Sequence, residues 1–363
     1  MTTHHQPGDT FTGHLTGKHY VLGEFIARGG EGEVFLVSAE RRLVAKLYIK
    51  PMPKVQGEKI VTLIKMRNAQ LTAIAAWPQE LLIGPEGKPA GYIMPFIPEG
   101  RPIHDLATPA GRLRAMPSAT YSSLVRVAAN LARAVATFHH AGIVLGDING
   151  SNFLVMPNGT VRVIDCDSVQ IGSSRKFRAP VAMEEFVPPE LQGKRLSNRM
   201  RTANHDAFAL AVMIFELLVL GRHPFSGNGD MPLGRSIRKR RHVFRWFSPP
   251  QNPFRVLNIP KTDMLSPELV ALFKRAFNHR PLKLVLMRPK RPTALQWMTA
   301  LEAHHGKLTT CGLDTGHQHP PGARQCPWCT LEARGAPKLF HGKRLSPVKP
   351  TPRWWERLVG QTA

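Results

Sequence analysis

The sequence predicts an α+β chain in two lobes, a strand-rich first part and a helical second part, on three observations. Between Lys18 and Ile97 the apolar residues come in short β-type runs. From Tyr121 onward they recur at intervals of three and four, the spacing of a buried helix face. Between these regimes the stretch FHHAGIVLGDINGSNFLVMPNGTVRVIDCD, 138–167, sets polar and acidic groups on loops between apolar strands. A chain of 363 residues with 42% hydrophobic content has the material for one two-lobed domain, or for two domains with appendages.

The first run, YVLGEFIARGGEGEVFLV from Tyr20 to Val37, carries Gly29, Gly30 and Gly32 between two stretches of strand character. Glycines there permit a tight turn and let backbone N–H groups approach a phosphate; a purely structural turn is the other reading. Leu43 to Tyr48 follows as an apolar run containing Val44 and Lys46. A buried ammonium needs an anion, whereas a lysine on an edge strand would face solvent. Gly57 to Met66 reads as a helix from the spacing of Ile60, Leu63 and Ile64. Glu58 is the acid between Lys46 and Glu80, which makes it the expected partner of Lys46; an acid complementing the helix dipole is the alternative. Tyr92 to Ile97 is a further apolar strand leading into a Pro/Gly-rich connector.

In the second part, Leu124, Val127, Ala128, Leu131, Ala132, Val135 and Phe138 form the stripe of an amphipathic helix with Gly142 as its stop. Asp147 and, five residues later, Asn152 precede the run Phe153 to Val155, an Asn158-Gly159 turn, the run Val161 to Ile164 and Asp165. Asn-Gly between alternating runs predicts a β-hairpin, which would gather Asp147, Asn152 and Asp165 at one end. Two carboxylates and an amide oxygen suit a hard divalent cation that carries phosphates. Asp206 opens a helix to Leu220 that is apolar nearly all round, the expected centre of this lobe.

Taken in order, these motifs resemble those of protein kinases, over roughly Lys18 to His305. The resemblance implies a two-lobed protein kinase-like fold with domains 18–97 and 98–305, preceded by a flexible N-terminus, 1–17. It implies that ATP is held with magnesium or manganese: Lys46 as the phosphate lysine, Asp147 as catalytic base, Asn152 and Asp165 as metal ligands. Ala27, Gly29 and Gly32 would take the three glycine positions of the phosphate loop, with Gly30 and Val34 beside them, and Glu58 would brace Lys46. Val44 and Met94 would line the adenine pocket, and the backbone of Pro95 and Ile97 would meet adenine. Glu190 and Arg291 would pair as a scaffold brace.

The departures are Leu145-Gly146-Asp147 for His-Arg-Asp, Asn149 for the usual lysine, Asp165-Cys166-Asp167 for Asp-Phe-Gly and Pro188-Pro189-Glu190 for Ala-Pro-Glu. Without an arginine at Gly146, a phosphorylated activation segment lacks its usual charge partner. Ser168, Ser173 and Ser174 are candidate self-modification sites. The forms GDINGSN, IDCDSVQ, PPELQ and GRHPF look most like a bacterial branch of serine/threonine-kinase-like proteins encoded beside a von Willebrand A-type protein and a metal-dependent protein phosphatase. That resemblance implies transfer to protein serine or threonine hydroxyls in signalling or stress response. The alternatives are a pseudokinase adaptor that binds nucleotide and partners, and a nucleic-acid-associated protein.

The formal net charge of +24 would attract anions, whether ATP, acidic proteins or nucleic acid. No run of about 18 apolar residues predicts a membrane span, and MTTHHQPGDT lacks the pattern of a secretory signal. Cys166, Cys311, Cys326 and Cys329 are too few for a disulfide framework, which points to a reducing cytoplasm. In CGLDTGHQHPPGARQCPWC, 311–329, the Cys326/Cys329 pair with Cys311 and His317 or His319 would complete a tetrahedral zinc site in a zinc-knuckle-like segment, 306–332. Similar chains place the histidine six residues after the first cysteine, which favours His317. A redox CxxC is the rival reading. A basic tail, 333–363, ends in RWWERLV, 353–359.

Overall fold

The computed structural model describes residues 4–172, 176–227, 230–245, 264–278, 290–323 and 325–344. The first lobe is a closed barrel of β1 (Thr10–Gly13), β2 (His19–Arg28), β3 (Gly32–Val37), β4 (Glu40–Tyr48), β5 (Glu80–Ile83) and β6 (Pro89–Pro95), in the order β1-β2-β3-β4-β6-β5. Two helices, α1 (Lys54–Lys65) and α2 (Ala69–Ile74), lie between β4 and β5 in sequence.

The two-residue period of a strand sorts β4 and β6 into two faces. Ala45, Leu47 and Ile93 enter the barrel interior with Phe11, Tyr20, Leu22, Phe35, Val37 and Leu82. Their neighbours Val44, Lys46 and Tyr48 on β4, and Tyr92 and Met94 on β6, take the opposite face. The antiparallel register sets Lys46 across from Tyr92 and Val44 across from Met94.

Phe11 is buried in the barrel, and β1 pairs with both β2 and β5. The stretch expected to be flexible, 1–17, is therefore corrected: its second half closes the sheet, because an apolar ring at Phe11 fills a place in the core.

The second lobe opens with the short β7 (Arg101–Pro102), α3 (Ile103–Ala107) and α4 (Pro109–Ala115). The long α5 (Tyr121–His140) starts on a capping box between Thr120 and Ser123 and buries the predicted stripe. Next come β8 (Ile143–Val144), the hairpin β9 (Phe153–Val155) with β10 (Val161–Val163), and β11 (Gln170–Ile171), which pairs with β8. The hairpin register pairs Val161 with Val155 and Val163 with Phe153, and Gly159 turns at φ +80°.

The apolar helix α6 runs Ala203–Leu218, three residues earlier than its apolar run because the Thr202 N–H donates to His205 Nδ1 at 3.0 Å. It is buried from Asp206 to Phe215. Against it packs α8 (Pro267–Asn278), with α7 (Leu233–Arg238) beside the turn at 184–186 and α9 (Ala294–Gly306) packed on α5 and α8. Trp77 joins the lobes: its indole N–H donates to the Leu63 carbonyl at 2.8 Å, and its ring lies 5.9 Å from that of Phe138.

After α9 come the small ribbon β12 (Thr309–Thr310) with β13 (Gln318–His319), and α10 (Pro327–Ala333). Leu339 and Phe340 are buried beyond α10, so the tail expected from 333 begins as a packed extension of the zinc-knuckle-like segment. The Arg353 to Val359 motif, Ser173 and Ser174 lie outside the described residues.

Candidate active site

The face of the sheet that carries Lys46 looks onto the hairpin end that carries Asp147, Asn152 and Asp165. Lys46 Nζ bonds to Asp165 Oδ1, and lies 2.8 Å from Asp167 Oδ1. Asn152 Nδ2 donates to the Asp147 carbonyl at 2.9 Å and to Asp147 Oδ2 at 3.2 Å. The N–H of Ile164 donates to the Asn152 carbonyl at 2.9 Å, which holds Asn152 beside the entry to Asp165. Asp147 Oδ1 is buried without a hydrogen-bond partner, a costly state for a carboxylate oxygen unless an incoming donor meets it.

The loop is pinned from below. Asp206, at the start of α6, accepts from the Leu145 N–H at 2.8 Å and the Gly146 N–H at 2.9 Å, and pairs with His139 Nε2 at 2.9 Å. Arg201 Nη2 donates to the Gly146 carbonyl at 2.8 Å. Gly146 itself has φ +75°, and a Cβ there would lie 2.2 Å from the Cβ of Ala179. The space that a side chain at Gly146 would enter is thus filled by Ala179. Asn149 is buried, and its Oδ1 accepts from the Ser151 N–H at 2.9 Å.

Asp165 has φ +64°, a left-handed turn that aims its carboxylate back toward Lys46, and its side chain keeps 30% exposure. Asp167 is buried, and its two oxygens accept from Lys46, from the Tyr92 hydroxyl at 2.8 Å and from the Tyr48 hydroxyl. Burial alone would push Lys46 down, but Asp167 and then Asp165 outweigh it and hold the ammonium above its usual range. Burial would push Asp167 up, yet the Lys46 charge and hydrogen bonds hold it down. Burial raises Asp165, with the Asp167 charge adding to it. Burial and then Asp167 raise both phenols, so Tyr48 and Tyr92 remain donors.

Glu58 does not meet Lys46, which corrects the expected pairing. It sits one turn into α1 on the outer side, where its carboxylate pairs with Lys176 at 2.8 Å. The inner position beside it is Lys59, which donates to the Arg178 carbonyl at 3.2 Å, burial lowering its pKa to about 8. Ser168 is also not an exposed loop serine: it is buried, and its hydroxyl donates to the Asp165 carbonyl at 3.1 Å.

The glycine turn closes through a bond from the Gly29 N–H to the Gly32 carbonyl at 2.8 Å, with Ala27 paired to Val34 across the hairpin. A Cβ at Gly32 would lie 2.6 Å from the Leu47 carbonyl oxygen, so the strand crossing itself requires glycine. Val44 and Met94 are buried beneath, and Val34 is half-buried. The Phe96 N–H donates to the Arg42 carbonyl at 2.8 Å, so Ile97 offers the next backbone donor along the connector.

The described family "protein kinase domain" matches residues 20–299. The chain belongs to the protein kinase family. Protein kinase YegI of Escherichia coli (strain K12) is 35% identical over 337 residues, 90% of this chain and 50% of YegI. Serine/threonine-protein kinase PknA of Mycobacterium tuberculosis (strain ATCC 25618 / H37Rv) is 25% identical over 60% of this chain and 50% of PknA. The chain thus spans about half the length of these curated relatives. The ROP18 kinase domain, solved with AMP-PNP and sucrose, superimposes with a TM-score of 0.54 at 14% identity, over 83% of this chain and 84% of that one, a likeness of fold. Glu190 and Arg291 meet as the kinase resemblance implies, at 2.6 and 2.8 Å. Among the described residues no helix is long and apolar enough to cross a membrane.

Asp167, Tyr48, Tyr92, Asp206 and Arg201 are site residues that the sequence reading did not assign. A signal for Tyr48 was present, since period two puts it on the face of Lys46.

A second cluster lies beyond the kinase domain. Cys311 Sγ, His317 Nδ1, Cys326 Sγ and Cys329 Sγ all lie within 4.8 Å of one another. Cys311 and Cys329 are 3.7 Å apart at sulfur, and His317 Nδ1 is 3.3 Å from Cys329 Sγ and 3.7 Å from Cys326 Sγ. A tetrahedron with metal–sulfur distances of about 2.3 Å has edges of roughly 3.8 Å, so the donor set fits a tetrahedral metal ion. Glu332 accepts from His317 Nε2 at 3.2 Å, which turns Nδ1 toward the sulfurs. His319 is directed away, its Nδ1 on the Pro320 carbonyl at 2.9 Å. The cysteines are free thiols rather than a disulfide.

Proposed function

We propose that this chain is an ATP- and magnesium-dependent protein kinase that transfers the γ-phosphate to serine or threonine hydroxyls of a protein, itself included, in bacterial signalling or stress response. The observation that carries this reading is the bond of Lys46 to Asp165, with Asn152 held beside Asp165 by the Ile164 N–H and bonded through Nδ2 to Asp147. Val34, Val44 and Met94 would flank adenine, with the Pro95 carbonyl and the Ile97 N–H as backbone partners. The backbone of Gly29, Gly30 and Gly32, with Lys46, would hold the phosphates. Asn152 and Asp165 present hard oxygen donors suited to magnesium or manganese, which when bound neutralises phosphate charge. Asp147 would accept the hydroxyl proton through its unpartnered Oδ1 while the hydroxyl oxygen bonds to the γ-phosphorus and the bond to the ADP oxygen breaks.

Transfer from γ-labelled ATP, by wild type and Asp147→Ala, with and without a generic acceptor protein, tests the reading. Loss of transfer in Asp147→Ala, with wild-type transfer intact, is the expected result. No transfer by wild type despite thermal stabilisation by ATP supports the second reading, a nucleotide-binding adaptor. Asn149 favours that second reading: it is buried and bonded within its own loop, and so places no cation near the transferring group.

The Cys/His cluster is proposed to hold a structural zinc. The motif likeness further proposes a metal-dependent protein phosphatase and a von Willebrand A-type protein as partners, and a cytoplasmic location.

A further inference from the structure

Lys46 has two carboxylate partners, and they are not equivalent. Asp165 keeps 30% side-chain exposure in the cleft and is one of the oxygen donors proposed for a divalent cation. Asp167 is 1% exposed, and its carboxylate accepts from groups of the first lobe with Asp165 beside it. Its Oδ1 accepts from Lys46 Nζ and the Tyr92 hydroxyl, each at 2.8 Å, its Oδ2 from the Tyr48 hydroxyl, and its carbonyl from Gln56 Nε2 of α1 at 3.1 Å. The acid of α1, Glu58, is engaged with Lys176 at 2.8 Å.

We propose that Asp167 is the positioning residue of Lys46, supplying from the loop after β10 the buried anion that aims the ammonium at the phosphates, so that no carboxylate of α1 is needed. This rests on the ATP-binding reading of the cleft. A buried ammonium without an anion is costly. When Asp165 engages a cation, Lys46 keeps Asp167, which two phenols satisfy without bringing a competing positive charge. The parts of this brace are fixed by sheet geometry: Lys46 and Tyr48 share a face of β4, and Tyr92 stands opposite Lys46 in the β4–β6 register. Helix α1 joins this brace through an amide and not a carboxylate: Gln56 Nε2 donates to the Tyr48 hydroxyl and to the Asp167 carbonyl, each at 3.1 Å. Helix α1 also holds the segment after β11, through Glu58 to Lys176 and Lys59 to the Arg178 carbonyl at 3.2 Å.

The test measures binding of magnesium-ATP and of adenosine by the full chain, as wild type, Asp167→Asn and Glu58→Gln, together with KM for ATP and kcat. Asp167→Asn is expected to weaken ATP at least tenfold and to change adenosine less than twofold, because only the phosphates feel Lys46; a merely structural role would weaken both alike. Glu58→Gln is expected to change neither more than twofold. ATP affinity unchanged in Asp167→Asn overturns the proposal, as does an equal loss in Glu58→Gln. If Asp167→Asn does not fold, Tyr48→Phe/Tyr92→Phe keeps the charge but loosens the carboxylate. A threefold or greater loss for ATP alone then supports the proposal, and no loss overturns it. Failure of wild type to bind ATP overturns the nucleotide reading itself, and the proposal with it.

Discussion

Arg291 and Glu190 meet edge to edge, with Nη1 and Nη2 of the guanidinium 2.6 and 2.8 Å from the two carboxylate oxygens. Arg291 also donates from Nε to the Ala276 carbonyl at 3.1 Å and from Nη1 to the Asn204 carbonyl at 3.0 Å. One side chain therefore ties the segment before α6, the start of α6 and the end of α8 together. Removing it takes both guanidinium donors from the Glu190 carboxylate in a largely dry place. Arg291→Ala is expected to cost roughly 3–5 kcal/mol, and Arg291→Lys less, since an ammonium keeps the charge but not the paired geometry. Urea unfolding of the two variants checks the order; equal losses would show that the paired geometry, and not the charge, carries the contribution.

Gly146 is expected to be intolerant for two separable reasons. Its φ of +75° disfavours any Cβ, and that Cβ would strike Ala179 at 2.2 Å. Gly146→Ala should lose roughly 2–4 kcal/mol in stability from backbone strain and overpacking. Because Asp147 is the next residue, transfer should fall at least about tenfold. Adding Ala179→Gly removes the collision and leaves the strain, so the double variant should recover part of the stability. No recovery would mean that the backbone, and not the contact, sets the cost.

Much of this architecture was legible because it rests on short periods. The hairpin around Asn158-Gly159, the stripe of α5 and the burial of α6 follow from alternation and helical spacing, and the fold brings Asp147, Asn152 and Asp165 together as the hairpin implied. The Cys/His set was legible because thiolates two residues apart in a Pro/Gly-rich stretch have few other uses. The brace on Lys46 was not. Reading it needs the β4–β6 register and the left-handed turn at Asp165, which are tertiary facts, and Glu58 was nearer in sequence than Asp167. Asp206 escaped for a similar reason: an acid at a helix start reads as a dipole partner, whereas here it accepts two loop N–H groups 60 and 61 residues away. Strand β1 is only four residues long and has too little alternation to declare itself.

Metal removal should reach beyond the cysteine cluster. Trp328 of α10 lies 4.8 Å from Tyr121 and 5.2 Å from Phe340, ring to ring. Arg112 of α4 stacks 4.5 Å over Phe340 and donates to the Leu339 carbonyl at 2.5 Å and the Leu106 carbonyl at 3.1 Å. The segment that carries the Cys/His cluster thus props the start of α5 and the α3–α4 pair. One zinc per chain is expected by elemental analysis. Cys326→Ser, or a strong chelator, should lower Tm by about 3–5 °C, the shift from a loss of roughly 2–4 kcal/mol in a chain of this size. A metal-free preparation with wild-type Tm would contradict the structural role.

Acid should destabilise the second lobe through a histidine held neutral. His223 is buried, its Nε2–H donating to the Glu185 carbonyl at 3.2 Å and its Nδ1 accepting from the Phe225 N–H at 3.2 Å. A second ring proton would face an N–H that has no lone pair to offer. Burial lowers its pKa to about 4, the Glu185 carbonyl opposing only in part. An unfolded histidine binds its proton near pH 6.5, so between about 6.5 and 4 the unfolded chain holds more protons than the folded one. The stability tied to His223 is therefore complete above about pH 6.5 and is lost as pH falls through 4, by up to about 3 kcal/mol. Glu216 works in the opposite sense: burial raises it to about 8, with the Glu185 charge adding, so its contribution declines as pH rises from 4.5. The comparison that isolates His223 is the difference between wild type and His223→Asn, which keeps an acceptor for the Phe225 N–H but does not titrate. That difference should shrink as pH drops from 7 to 4 in urea unfolding. A difference constant across this range would show that the ring does not titrate as its surroundings dictate.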